Sequence, residues 1–113
     1  KVDEKCAKIV NKAKTSGKRV CAVGTTVMRS IETAVSADKL LKPMEGWTNI
    51  FIHPPYDFSI ANSMITNFHT PNSSLMIMIS AFASNDLTIE AFQIAINKKY
   101  NFFSYGDAML IID

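Results

Sequence analysis

Residues 18–35 read KRVCAVGTTVMRSIETAV, and the architecture follows from this run. Lys18 to Val23 reads as a short buried strand. Gly24-Thr25-Thr26 then turns the chain, with Thr25 or Thr26 as N-cap, into a helix whose apolar face is Val27, Met28, Ile31, Ala34 and Val35. Upstream, Val2, Cys6, Ile9, Val10 and Ala13 fall at helical spacing, with Gly17 as a stop. Helix, strand, Gly-Thr turn, helix is the order of an α/β domain, and it predicts a partly parallel sheet flanked by helices.

Downstream, Pro43 and Gly46 mark a loop, and TNIFI (48–52) is a second strand candidate ended by Pro54-Pro55. Residues 56–74 show no clean period. Leu75 to Ala83 is apolar on every side, so it is a buried helix or a central strand, and periodicity does not separate the two. Ser84-Asn85-Asp86 caps a helix over about 87–99 with Leu87, Ala91, Ile94 and Ala95 inward, and AMLII (108–112) closes as a strand.

With 113 residues, 48% hydrophobic and 19% charged, the chain can bury a core and is not disordered in composition. Leu75 to Ala83 is well short of the roughly 18–20 apolar residues of a membrane span, and the charged start lacks the apolar stretch of a signal peptide. The first residue is Lys1, not Met, which predicts a piece of a longer chain. Charge is uneven. Residues 1–42 hold ten of the twelve Lys and Arg against four acids, whereas 43–97 hold four acids and no Lys or Arg. A basic third of this kind suits a polyanion, or is simply the wet face of a helix. Cys6 and Cys21 have no CxxC spacing, so a reduced, cytoplasmic setting is expected, with no zinc site and Cys21 a small hydrophobe in an apolar run.

Three places carry candidate chemistry. At Gly24-Thr25-Thr26, a strand running into a helix N-terminus presents free N–H groups that suit a carboxylate or phosphate. Thr25, Arg29 and Glu32 share one helix face, opposite the apolar one; the plainer reading is a capped helix with a surface Arg29–Glu32 pair. Neither GxGxxG nor a P-loop is present. The second place is TNFHTPNSS (66–74), where Asn67 and His69 lie ahead of an apolar segment and His69 is a candidate acid or base. A lone His beside Pro is more often a turn residue whose imidazole satisfies a carbonyl, and a triad with Ser73 and Asp107 lacks the GxSxG elbow. The third is FFSYGD (102–107), which sets Tyr105, Gly106 and Asp107 in a tight turn at a sheet end, where ligands of open α/β sheets bind. Its alternative is a turn in which Asp107 bonds to backbone. Tyr56-Asp57-Phe58 is a further spot, either a base-stacking surface or packing beneath a loop.

Taken in order, RVCAVGTTVMRSIET, GWTNIFIHPPYDF, TNFHTPNSSLMIMISAFAS and FFSYGDAMLI resemble the C-terminal signature blocks of the S-adenosylmethionine:tRNA ribosyltransferase-isomerase family of queuosine biosynthesis. The resemblance implies that residues 1–113 are the C-terminal segment of a larger α/β domain, whose N-terminal segment and inserted β-barrel domain lie outside this sequence. It implies a ribosyl transfer from S-adenosylmethionine to 7-aminomethyl-7-deazaguanine at the tRNA wobble position, giving epoxyqueuosine with loss of adenine and methionine. S-adenosylmethionine is then a substrate, with no prosthetic group, metal or membrane; the parent is expected to be a cytoplasmic monomer and the segment alone inactive. On this reading His69, Asn67 and Asp107 are the catalytic candidates, and Thr25, Thr26, Arg29, Tyr105 and Gly106 the substrate-binding ones. The general base is not fixed by the pattern. Pro55, Asn72 and Ser84 depart from the family's usual Gly, Lys and Gly. The other reading is a non-catalytic α/β module that binds an anion or nucleic acid.

Overall fold

The computed structural model describes residues 1–68, 74–102 and 106–112, without the side chains of 74 and 75. Along the chain run α1 (Glu4–Thr15), β1 (Cys21–Val23), α2 (Thr25–Thr33), β2 (Ser63–Asn67), α3 (Ser74–Ala83), α4 (Asn85–Asn97) and β3 (Ala108–Ile112). The sheet order is β1-β2-β3, with β1 parallel to β2 and β3 antiparallel to it. This is the expected α/β class with a partly parallel sheet.

Local chemistry explains the helices. Asp3 caps α1 by accepting from the Cys6 N–H at 2.7 Å. Glu4 lies in the first turn and Lys12 and Lys14 in the last, matching the helix dipole. Gly17, at φ 72°, takes the left-handed conformation that ends it. Asn11 docks α1 onto the following loop, donating to Leu41 O and accepting from Leu41 N, both at 2.7 Å.

Several expectations change. TNIFI is not a strand: side chains satisfy its backbone, Arg29 donating to Ile50 O and Thr48 accepting from Ile50 N. The second strand is SMITN, hidden in the sequence because Ser63 and Thr66 are polar yet only 2% and 3% exposed. Leu75 to Ala83 lies within helix α3. On α4 the buried residues are Thr88, Phe92 and Ala95, and Leu87 and Ile94, expected inside, are exposed. Cys21 is exposed too, as are Ile9 and Val27.

Gly24 caps α2 without a side-chain bond, so neither Thr25 nor Thr26 is the cap. Its backbone, at φ 99° and ψ 147°, is almost the same as that of Ser84, the cap of α4, at φ 92° and ψ 152°. That region is essentially reserved for glycine. Ser84 meets a 3.3 Å bond from the Leu87 N–H, a partial return for the strain. Ser84→Gly is therefore expected to stabilise the protein by about 1 kcal/mol, since strain of roughly 1–3 kcal/mol is relieved while a Ser-to-Gly cap change costs a few tenths. The shift in urea midpoint measures it, and an unchanged or lower midpoint refutes it.

The strand register sorts the sheet into two faces. Ala22, Met64, Thr66, Met109 and Ile111 face one side. There the core holds Met28 and Ile31 of α2 and Met78 and Ile79 of α3. Cys21, Val23, Ile65, Leu110 and Ile112 share the other side, where Val23, Leu110 and Ile112 are 55–61% exposed.

Candidate functional site

The topology brings distant segments to one end of the sheet. β1 and β2 run parallel and end at Val23 and Asn67, while antiparallel β3 begins opposite Asn67, at Ala108. Gly24-Thr25-Thr26, Asn67 and Gly106-Asp107 thus gather at the carboxyl end of the parallel pair, the usual ligand-binding end of such sheets. The Gly24 N–H donates to Ile65 O at 2.7 Å and ties the turn to β2.

At this end Thr25 is buried and Thr26 exposed. Asn67 is half-buried. Asp107 accepts from the Asn101 N–H at 2.7 Å and returns its own N–H to Asn101 O at 3.0 Å. One carboxylate oxygen therefore anchors the loop, the backbone-bonded turn foreseen as one alternative. Gly106 fits where no other residue does, because a Cβ there would lie 2.7 Å from Phe102 O and 2.8 Å from Asn101 O. Beneath, Phe68 packs against Phe92, Tyr100 and Phe102 with ring centroids 5.4–5.8 Å apart. His69 and Tyr105 lie outside the described residues.

Arg29 and Glu32 do not form the simple surface pair of the plainer reading. Glu32 is 6% exposed. It accepts from the Ser59 N–H at 2.9 Å and the Ile60 N–H at 3.2 Å. Arg29 donates to Ile50 O at 3.1 Å. The face expected to be polar and wet thus clasps the 48–60 segment against α2. Sequence reasoning missed Glu32 because its partners are backbone amides 27 and 28 residues away.

Burial raises the Glu32 carboxyl above its ordinary value of 4.5, opposed by the Ser59 and Ile60 amides, the Tyr56 hydroxyl and the charge of Lys14. Burial and the nearby Glu32 charge in turn push the Tyr56 phenol up. With its pKa raised in the folded state, Glu32 holds more protons folded than unfolded just above 4.5. The part of its contribution that is linked to proton binding is therefore complete below that pH and lost as pH rises through the folded value, while the two amide bonds remain. Glu32→Gln is expected to abolish this limb of the urea-midpoint profile; a variant with the parent's profile refutes it.

A cleft of about 670 Å³ opens at the other end of the sheet, lined by Tyr56, Phe58, Asn62, Phe82 and Ile112 among others. It is separate from the sheet-end groups and is lined by the Tyr56-Asp57-Phe58 spot. Among the described residues no group of three or more His, Cys, Asp or Glu is placed to hold a metal, and no helix is long and apolar enough to cross a membrane.

Fold and site define an open α/β segment with candidate ligand groups where its parallel strands end. The family model described as "Queuosine biosynthesis protein" matches residues 1–111, and the chain belongs to that family. It is 57% identical over 112 residues to the S-adenosylmethionine:tRNA ribosyltransferase-isomerase of Phocaeicola vulgatus, covering 99% of this chain and 32% of that protein. The protein of the same name from Flavobacterium psychrophilum is 60% identical over 112 residues, with the same coverage. The crystal structure of S-adenosylmethionine tRNA ribosyltransferase from Thermotoga maritima superposes with a TM-score of 0.88 at 38% identity, over 98% of this chain and 39% of that one. The chain thus spans about a third of the length of the curated relatives it matches.

Proposed function

We propose that this chain is the C-terminal segment of the α/β domain of an S-adenosylmethionine:tRNA ribosyltransferase-isomerase. The protein that carries it transfers and isomerises the ribosyl group of S-adenosylmethionine onto 7-aminomethyl-7-deazaguanine at the tRNA wobble position. The observation that carries this reading is the convergence of Gly24-Thr25-Thr26, Asn67 and Gly106-Asp107 at one sheet end. The amides opening α2 suit the methionine carboxylate or a phosphate, with Arg29 one turn further along. Asp107, with one oxygen committed to Asn101, has its other oxygen for a ribose hydroxyl or an amine. Asn67 ends β2 and His69 comes two residues later in the sequence; His69 is the proton carrier of this scheme, and Tyr105 a substrate contact beside Gly106. Such an enzyme works in the cytoplasm, where its tRNA is.

The exposed apolar sheet face of Val23, Leu110 and Ile112 supports a larger domain in which the remaining chain of the parent packs on this side. The inserted β-barrel domain belongs to that remainder. The segment alone is accordingly inactive.

The test incubates the full-length protein with S-adenosylmethionine and tRNA bearing the aminomethyl-deazaguanine base, following adenine release and nucleoside mass. Adenine release with an epoxyqueuosine-mass nucleoside is expected, and lost in His69→Ala. No release from the unaltered protein overturns the reading, and normal turnover in His69→Ala removes that residue from the chemistry.

A further inference from the structure

We propose that Trp47, Phe51 and His53 form a stacking platform for unpaired bases of the tRNA substrate, an inference that rests on the ribosyltransferase reading. Trp47 is 101% exposed and Phe51 56%; His53 is exposed, and its ring lies 5.4 Å from that of Phe51. Indole and phenyl rings left in water forgo the burial that ordinarily draws them inside. Two of them in one short segment, with the His53 imidazole beside the second, mark a contact surface.

The segment is held firmly from below. Arg29 grips Ile50 O, Thr33 and Thr48 share a hydroxyl–hydroxyl bond of 2.7 Å, and Ile52 is 2% exposed. With Ile50 and Ile52 turned in, Phe51 and His53 turn out. A surface fixed in this way loses little conformational freedom on binding.

Charge selects the partner. Residues 43–97 contain no Lys or Arg, but the basic N-terminal third is folded against the foot of this segment through the Val2–Met44 backbone bridge and the Asn11–Leu41 bonds. Lys42 lies five residues before Trp47. Lys1 reaches Glu45 only at 4.0 Å in a pair more than half exposed, a weak tie that leaves its charge for another anion. Aromatic faces bordered by cations are the pattern that binds single-stranded nucleic acid. An anticodon loop offers unpaired bases that can be splayed out and stacked on such rings.

The test measures KM for tRNA and for S-adenosylmethionine in the full-length protein and in Trp47→Ala, Trp47→Phe and Phe51→Ala. KM for tRNA is expected to rise roughly tenfold for each ring removed and to recover largely in Trp47→Phe, with KM for S-adenosylmethionine and the unfolding midpoint held. An unchanged KM for tRNA in Trp47→Ala overturns the platform. So does a fallen midpoint with both KM values altered, which identifies Trp47 as packing against the rest of the parent. Should the unaltered protein release no adenine, the functional reading fails, and tRNA gel shifts with the same variants decide the platform separately: weaker binding supports it, equal binding overturns it.

Discussion

Glu32→Ala is expected to cost about 3 kcal/mol of stability, because hydrogen bonds to a charged acceptor contribute roughly 1.5–3 kcal/mol and a buried donor left without one costs roughly 1–3 kcal/mol. Two donors converge on this carboxylate, the N–H groups of Ser59 and Ile60. Ala satisfies neither of them. The Ile60 amide is buried, so water does not readily replace the lost acceptor. Glu32→Gln is the informative companion. Its carbonyl serves one amide while its NH2 opposes the other, so a loss between those of parent and Ala is expected. Urea titration near pH 7 reads both; an Ala variant within about 0.5 kcal/mol of the parent, the range of an ordinary surface change, overturns the claim that this residue clasps 59–60 to α2.

Gly106→Ala is expected to be the more damaging for ligand binding. A methyl group at 2.7 Å from Phe102 O and 2.8 Å from Asn101 O meets backbone, which cannot rotate aside as a side chain can. The 101–107 loop must open, and with it go the two Asp107–Asn101 bonds. Overpacking of this kind costs roughly 1–3 kcal/mol, and it displaces Asp107 from the sheet end. The expected result in the full-length protein is a loss of adenine release of at least about tenfold, the equivalent of 1.4 kcal/mol, alongside a lowered unfolding midpoint. Asp107→Asn separates the two effects: it keeps an acceptor for Asn101 and removes the charge. Unimpaired turnover in Gly106→Ala sinks the assignment of this turn to the site.

The parts of the fold that were legible are those with local grammar. α1 announces itself through the spacing of Cys6, Ile9, Val10 and Ala13 and its stop at Gly17, α2 through the spacing of Met28, Ile31 and Ala34, and β3 through AMLII. β2 was illegible because Ser63 and Thr66 occupy buried positions, so the alternation that marks a strand is absent from composition. TNIFI shows the reverse error: strand-like residues whose backbone is satisfied by Arg29 and Thr48. The inward face of α4 was misjudged because Thr88 carries its hydroxyl to Ser84 O at 2.6 Å, which lets a polar residue go inside while Leu87 stays out. At the site, Gly24, Asn67 and Asp107 were each visible as separate signals. Their meeting depends on strand order, which no short window of sequence encodes. Glu32 was visible only as a charge on a helix.

The sheet-end groups come from three stretches, near residues 24, 67 and 106, brought side by side by the strand ladder. A ligand held there is therefore bound by the cooperative unit, not by a local loop. Its binding free energy is added to whole-segment unfolding, and amide hydrogen exchange of β1, β2 and β3 should slow together when S-adenosylmethionine is present, by one common factor, with no graded protection spreading from one edge.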